Sequence, residues 1–332
     1  MTNIALISKK RVFLDYQMTL EIDCHNWENY FKNAEFSNLM QSWNYGAAKE
    51  KMDGWSIRRG IINKNDTAIA LCQWLEKPIL KLIKIIRINR GPIWIDKNQF
   101  NTEDKSLIYY FLSRYFSLSK GCLLFIAPAL EDSEENNLLL KNLNYKKMKK
   151  KLPWKSALID LQKTEQELRA ALKSRLRNYL KHAENANHLF DISTIQSDFE
   201  DIFVHYTDQQ KQKKFDGVPL NCIKLLRQFD AEKGDVFIAR VKNADGQTMA
   251  LKLLAIHGNH CTPLIAWTSE EGAKCHAMHL LIWKTLLYLK TRGIFYFDVG
   301  GYNEKERPSV CQFKKGFGGK EYCLVGEYRG FL

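Results

Sequence analysis

The sequence predicts a mixed α/β protein built from two similar units in tandem. Short β-rich runs alternate with segments of helical periodicity, which is typical of mixed folds. The same order of elements occurs in both halves: one or more helices, a meander of three strands, a helix and a strand. The 332 residues suffice for two domains of roughly 100–200 residues each.

In the first half, β-rich runs between residues 55 and 96 are separated by turn residues, which predicts the meander. After the capping residue Thr102, apolar residues at helical spacing predict a helix over 103–118. A buried strand is expected within 121–130. The lysine-rich segment 141–155 then marks a boundary, so we predict domains of residues 1–152 and 153–332.

In the second half, one helix is predicted over 163–187, followed by a strand and two further helices. The turn Asn243–Gly246 indicates a hairpin between the first two strands of the second meander. A long helix over 276–291 and the strand that ends at Asp298 follow. The closing segment, EYCLVGEYRGF, is expected to be a last strand of the second domain.

The chain carries a large excess of positive charge, with 50 Lys and Arg residues against 37 Asp and Glu residues. A net charge of +13 favours polyanionic partners: nucleic acid, an anionic membrane surface or phosphorylated small molecules. A charge that serves solubility alone is the alternative.

The cysteines and the hydropathy pattern bear on location. Eight scattered cysteines without a CxxC pair predict buried free thiols in a reducing cytoplasm, and neither a disulfide framework nor a zinc site. The N-terminal stretch has no small-residue cleavage site, so we expect neither a signal peptide nor an anchor. No apolar run approaches 18 residues, so no membrane span is expected.

The segment 168–181 combines an apolar stripe with a cationic one at four-residue spacing. The leucines of the apolar stripe are Leu168, Leu172, Leu176 and Leu180, and the cations are Arg169, Lys173, Arg177 and Lys181. Like charges four residues apart on a helix repel each other, and a polyanion would offset that repulsion. The stripe therefore predicts an RNA-binding surface, with a merely solvated face as the alternative.

The segment FDVGGYNEKERPSVCQFKKGFGG, residues 297–319, holds the candidate catalytic residues. Asp298 ends a hydrophobic strand, where sites form in α/β folds, although a turn-capping aspartate has the same pattern. Lys314 and Lys315 stand among glycines, which permit the backbone to approach a phosphate closely. Of Phe313 and Phe317, one is expected in the core and the other as a stacking platform.

Familiar catalytic constellations are absent from the sequence. There is no Ser/His/Asp or Cys/His set, no HExxH and no Walker A motif, and we interpret His276 and His279 as structural. This pattern favours a chemistry that needs neither metal nor nucleophile, only positioning and stabilisation of an oxyanion.

Taken together, several segments resemble the Fem-type aminoacyltransferases over about residues 35–330. These segments are QSWNYGAAK (41–49), RGP (90–92), the helix KSRLRNYLKHAENA after Pro-Trp, and FDVGG…FKKGFGG. The resemblance implies two tandem GNAT-like acyltransferase domains, with the acceptor on the N-terminal side and catalysis in the C-terminal domain. It implies transfer of an amino acid from aminoacyl-tRNA to an amine of a peptide or nucleotide-linked acceptor, by a monomer without a cofactor.

The resemblance also assigns residues. Phe313 and Lys314 fall on the family's Phe-Lys pair that contacts the terminal nucleotides of tRNA, with Lys315 beside them. Lys314 is implied to steady the charge that develops when the ester is attacked, and Asp298 is the candidate carboxylate for the proton.

On the acceptor side, Trp43 and Lys49 fall in the segment that approaches acceptor phosphates in relatives. Lys213 and Lys214 lie in the helix where relatives carry an arginine that grips the acceptor diphosphate. Lysine lacks the bidentate fork of arginine, which weakens the expectation of a nucleotide diphosphate.

Two other functions remain open from the sequence. An acyl-CoA-dependent N-acyltransferase of the same fold needs a glycine-rich loop at a helix start to bind pyrophosphate. The matching segment, 268–277, has one glycine and the acids Glu270 and Glu271, which argues against CoA. The other alternative is a tRNA-binding module without catalysis.

Overall fold

The structure is a computed structural model that describes residues 15–20, 22–95, 102–148, 153–213 and 217–330. The chain forms two compact units, one of Met1–Trp154 together with Cys323–Leu332 and one of Lys155–Tyr322. Each unit has one sheet, so the fold is mixed α/β as the sequence predicts.

The first unit has a sheet in the order β1-β2-β3-β4-β6-β15-β7, with β5 paired to β3. Its strands are β1 (Tyr16–Leu20), β2 (Ser56–Lys64), β3 (Thr67–Leu80), β4 (Ile83–Asn89), β5 (Ile93–Trp94), β6 (Cys122–Ala127), β7 (Tyr145–Lys147) and β15 (Tyr328–Gly330). Its helices are α1 (Cys24–Asn33), α2 (Trp43–Asp53), α3 (Thr102–Tyr115) and α4 (Glu134–Asn142).

The second unit has a sheet in the order β14-β8-β13-β12-β11-β10-β9. Its strands are β8 (Lys155–Asp160), β9 (Leu189–Ser193), β10 (Val236–Lys242), β11 (Thr248–His257), β12 (His260–Thr268), β13 (Tyr296–Asp298) and β14 (Lys320–Cys323). Its helices are α5 (Glu165–Ala171), α6 (Ser174–Glu184), α7 (Gln196–Lys213), α8 (Leu220–Phe229), α9 (Glu270–Lys274), α10 (Ala277–Thr291) and α11 (Pro308–Lys315).

The two sheets repeat one pattern and differ at one junction. In each, an antiparallel meander (β2-β3-β4 or β10-β11-β12) is followed by a parallel neighbour, β6 or β13. The β4–β6 pairing is continuous from Lys84↔Cys122 to Asn89↔Ala127. The β12–β13 pairing has two residue pairs and ends at Cys261↔Phe297. The second sheet therefore opens between β12 and β13.

A β-bulge in β12 accompanies this opening. Leu253 of β11 pairs with Ile265 and the next residue, Leu254, pairs with Pro263, so Leu264 has no partner in the ladder. An extra residue bends a strand and increases its local twist. The bulge thus turns the end of β12 away from the course of β13.

The core of the second unit lies between one sheet face and the helices α5, α6 and α10. The predicted apolar stripe is confirmed, since Leu168, Leu172, Leu176 and Leu180 are all buried. The helix α10 buries residues all round, among them Trp283, and ends before Gly293 with a φ of 69°. That glycine adopts the left-handed conformation usual after a helix C-terminus.

The predicted single helix over 163–187 is wrong, because the chain leaves the helix at Leu172 and Lys173. Both residues have extended backbone between α5 and α6. Leu172 is buried, and the Lys173 amide donates to the Gly316 carbonyl at 2.9 Å. Tertiary contacts outweigh the helix propensity of this segment, and the cationic stripe is broken at the same point.

The last strand differs from its predicted place in the second domain. β15 hydrogen-bonds to β6 on one side and to β7 on the other, inside the sheet of the first unit. Tyr328 is buried there, and its hydroxyl donates to Asn137 Oδ1 at 2.7 Å. An alternating strand pattern does not specify which sheet the strand joins.

Two expectations from composition concern the cysteines and the membrane-spanning helices. All eight cysteines lie in the described residues; they form no disulfide there, and five of them are buried. Within the ranges given above, none of the helices has the length and apolar character that a bilayer crossing requires.

We predict that Tyr328→Ala lowers the free energy of unfolding by about 3–5 kcal/mol, as for other buried aromatic truncations. Chemical denaturation followed by fluorescence measures the change. Tyr328→Phe, which removes the hydroxyl alone, should cost about 1 kcal/mol. Phe295→Ala is the control, because Phe295 is 44% exposed. Equal small losses in all three variants would contradict the structural role of β15.

Candidate active site

The opening between β12 and β13 is occupied by the side chain of Lys314, which α11 supplies. The Lys314 Nζ donates to the carbonyl oxygens of Gly300 and Gly301 at 3.0 and 2.8 Å. Gly300 has a φ of 80°, and a Cβ there would lie 3.3 Å from both Lys314 Nζ and Pro263 Cγ. A side chain at this position would be strained by the backbone conformation and would crowd both atoms, so glycine is favoured.

Asp298 shapes the turn that presents these two carbonyls. The residue is 7% exposed, and its carboxylate accepts from the Ser156 hydroxyl, from the Gly300 amide at 2.7 Å and from the Tyr322 hydroxyl at 2.6 Å. These are the contacts of a turn-forming carboxylate, with both oxygens engaged by donors. A role for Asp298 in proton transfer stays a prediction.

Burial sets the charge state of Lys314. Removal of the ammonium from water lowers its pKa to about 8, while the nearby Asp298 carboxylate opposes that shift. Near neutral pH the group is therefore mostly protonated. An ammonium has three N–H donors, and two are used by Gly300 and Gly301. The third is available to an oxyanion.

Phe313, the neighbour of Lys314, belongs to an aromatic cluster that we define as Tyr179, His182, His276, His279 and Phe313. The His276 ring stacks on Tyr179 with centroids 4.0 Å apart, and His279 meets Phe313 edge-on at 4.9 Å. Burial lowers the pKa of His279 to about 4, so its ring is neutral. In the described part of the chain, no group of metal-ligating side chains could hold an ion.

The aromatic cluster was missed by sequence reasoning, although its signal is visible in retrospect. Tyr179 and His182 are three residues apart on α6, and His276 and His279 are three apart at the start of α10. Each pair shares a helix face. Phe317 is buried in the core, as expected of one of the two phenylalanines, and Phe313 is partly buried.

Comparisons with known proteins agree with this architecture. Residues 169–315 match the family model of the acetyltransferase (GNAT) domain. The crystal structure of FemX superposes with a TM-score of 0.78 at 16% identity, covering 95% of this chain and 97% of that one. The fold is that of the Fem-type tandem GNAT proteins.

Two further structures show the same fold at lower similarity. L-PGS from Bacillus licheniformis has a TM-score of 0.52 and 13% identity, covering 93% of this chain and 92% of its own. A conserved protein of unknown function from Bacteroides thetaiotaomicron VPI-5482 has a TM-score of 0.59 and 8% identity, covering 94% and 99%. No curated protein sequence matches the chain.

Within this Fem-type fold, Lys315 does not join Lys314. Its ammonium contacts the carboxylates of Glu304 at 2.6 Å and Glu321 at 2.9 Å, and these bonds raise its pKa. The charge of Lys315 is thus compensated within the protein. This arrangement weighs against the predicted phosphate contact of Lys315.

The predicted cationic stripe is reduced by local pairing as well as by the helix break. Arg169 on α5 forms an ion pair with Glu184, and the Arg177 guanidinium donates to the Ala170 carbonyl at 3.0 Å. Lys173 and Lys181 are exposed at the start and near the end of α6. These two lysines are the members of the stripe best placed to meet an anion.

The expected acceptor residues belong to the first unit and to α7. Lys49 forms an ion pair with Asp53 one helical turn away. The Arg59 guanidinium lies 3.5 Å from the centroid of the Trp43 ring and also donates to the Trp43 carbonyl. Burial lowers the pKa of Arg59 to about 10. The side chain of Lys213 and the whole of Lys214 lie outside the described residues.

The segment that would hold the pyrophosphate of CoA carries carboxylates instead. Glu270 and Glu271 are exposed in the first turn of α9. The Gly272 amide donates to Ser269 Oγ at 2.9 Å, so the helix start is capped by its own side chain. Both features oppose an anion at this helix N-terminus.

We predict that the Lys314 amine titrates near pH 8, because its ammonium is buried. NMR of selectively labelled lysine, with the resonance assigned by its loss in Lys314→Met, measures the midpoint. Lys315 is the internal control, since its two carboxylate partners should move its midpoint above the ordinary value of 10.5. A Lys314 midpoint near 10.5 would show that the site is open to water.

Proposed function

We propose that the chain is an aminoacyltransferase that moves an amino acid from aminoacyl-tRNA to an amine of a peptide or nucleotide-linked acceptor. The observation that carries the proposal is the Lys314 ammonium, fixed by the Gly300 and Gly301 carbonyls at the opening of the second sheet. The adjacent Phe313 and the likeness to the FemX fold support it. No cofactor enters the reaction, since the donor ester is already activated.

In this reaction the acceptor amine attacks the ester carbonyl, and negative charge develops on its oxygen. The third N–H of Lys314 is a fixed, partly desolvated donor for that oxygen. A donor of this kind is typically worth about 10²–10³ in rate. Because Lys314 is held by two carbonyls, it does not have to be reoriented as the charge appears.

The surface near Phe313 has features that suit the single-stranded end of tRNA. Aromatic rings stack on nucleobases without regard to sequence, at about 1–3 kcal/mol per base. The exposed Lys173 and Lys181 add charge for phosphates, in a chain of net charge +13. We accordingly expect a cytoplasmic monomer that binds aminoacyl-tRNA in the second unit, with Trp43 and Lys49 serving the acceptor in the first.

Acetyl-CoA is the competing donor, because the matching family model is an acetyltransferase domain. The exposed Glu270 and Glu271 and the capped start of α9 disfavour it. An assay with charged tRNA and amine acceptors, run beside one with acetyl-CoA, separates the two donors by product. Tight tRNA binding without deacylation would indicate the binding-module alternative.

We predict that Lys314→Met lowers the rate of aminoacyl transfer at least 100-fold, because the oxyanion loses its donor. Single-turnover formation of the amide product from charged tRNA measures the rate. Lys284→Met, which removes an exposed lysine from α10, should leave it unchanged. An undiminished rate in the folded Lys314 variant would remove Lys314 from the mechanism.

We also predict that Lys173→Met combined with Lys181→Met weakens tRNA binding and flattens its salt dependence. Each lost phosphate contact removes about 0.7–0.9 from the slope of log K against log salt concentration. Titrations at several salt concentrations measure the slope. Lys224→Met combined with Lys233→Met, which removes the same charge from and just after α8, is the matched control. An equal effect in both pairs would indicate that net charge alone attracts the RNA.

A further inference from the structure

Lys252 is a buried lysine in the middle of β11 that the reaction described above does not use. Its side chain is 5% exposed. It pairs in register with Ala239 on β10 and with Ala266 on β12. Burial of a lysine inside a protein is costly, so its presence here calls for a function.

The sheet face around Lys252 leads to the opening beside β13. Residues paired directly across antiparallel strands lie on one face, so Lys252 shares its face with Ala266, which is exposed. Pro263, beyond the bulge on the same strand, approaches the Gly300 position, where Lys314 is held. Small alanine side chains on both neighbouring strands leave the Lys252 side chain room to extend along this face.

The electrostatic surroundings favour the uncharged form of Lys252. Burial is the main cause that lowers its pKa to about 7, the Lys314 ammonium on α11 lowers it further, and the Cys261 thiol on β12 opposes them. The helices α6 and α10 cover this face chiefly with apolar side chains such as Leu176, Leu180 and Leu281. His279 on α10 is neutral, because burial holds its pKa near 4.

Other candidates for a base are less available. The Asp298 carboxylate accepts three hydrogen bonds, so both of its oxygens are engaged by donors within the turn. Lys314 is bound to two carbonyl oxygens. Because the pKa of Lys252 is about 7, roughly half of the molecules carry its amine in the neutral form at pH 7, with a lone pair that can accept a proton.

We propose that Lys252 is the proton acceptor of the transfer reaction, a role that rests on the proposed aminoacyltransferase function. As the acceptor nitrogen bonds to the ester carbonyl carbon, its proton passes to the Lys252 Nζ. The bond from that carbon to the ribose oxygen then breaks, and Lys252 returns the proton to this oxygen. One C–N bond forms, one C–O bond breaks, and the protonated Lys314 remains a hydrogen-bond donor throughout.

Lys252→Met tests this role, because the substitution should slow the reaction and yet raise the stability of the fold. We expect a 10²–10⁴-fold slower single turnover, the usual range for a lost general base. The wild-type rate divided by the variant rate should rise as the pH increases through about 7, because Lys252 then loses its proton and can act as a base. The ionisation of the acceptor amine affects both rates equally and cancels in this ratio.

The stability readout has a definite sign. A folded-state pKa of about 7 against an ordinary 10.5 means that the unfolded chain binds more protons between these values. The lysine therefore destabilises the fold most below pH 7 and least above 10.5. The melting temperature of Lys252→Met should exceed that of the wild type at pH 6, and the difference should shrink as the pH rises.

Lys252→Arg distinguishes a base from a fixed cation. Arginine keeps the charge and gives up no proton near neutral pH, so this variant should be as slow as Lys252→Met. Retained activity in Lys252→Arg would show that Lys252 binds an anion, and would overturn the proposal. So would an unchanged rate and pH profile, or a lower melting temperature at pH 6, in Lys252→Met. If the wild type itself does not transfer from aminoacyl-tRNA, the proposed function fails instead.

Discussion

The bridge from the Lys314 ammonium to the Gly300 and Gly301 carbonyls is the interaction on which the second unit depends. Where β13 leaves β12, the sheet no longer supplies partners for peptide groups on that side, and buried carbonyls without partners are costly. A lysine satisfies both and brings a positive charge to the opening. One side chain therefore satisfies both carbonyls and brings to the opening the positive charge on which the proposed acyl transfer relies.

The two parallel junctions show what this arrangement changes. In the first unit β4 and β6 stay paired from Lys84↔Cys122 to Asn89↔Ala127, and the sheet there is closed. In the second unit the bulge at Leu264 and the short β13 interrupt the pairing after Cys261. The same order of elements thus yields a continuous sheet in one unit and an opening with a candidate site in the other.

The electrostatics of the candidate site depend on the small number of carboxylates near Lys252 and Lys314. Burial lowers the pKa of both Lys252 and Lys314, and the Lys314 ammonium lowers the pKa of Lys252 further. The nearby carboxylate, Asp298, is committed to the turn that it forms. Buried amines of this kind lower the stability of the fold, but they change their protonation state near neutral pH. Elsewhere in the unit, lysines and arginines such as Lys315 and Arg169 are paired with acids.

The sequence by itself determined the mixed α/β class, the repeated element order and the positions of Lys314 and its glycines, because period and turn chemistry are local properties. It also determined the leucine face of α5 and α6. The tertiary structure alone decided the break at Leu172, the entry of β15 into the first sheet, the pairing of Lys315 with Glu304 and Glu321, and the burial of Lys252. These features depend on which distant segments meet. The sequence pattern of a strand is the same whether its lysine is surrounded by water or by the protein core.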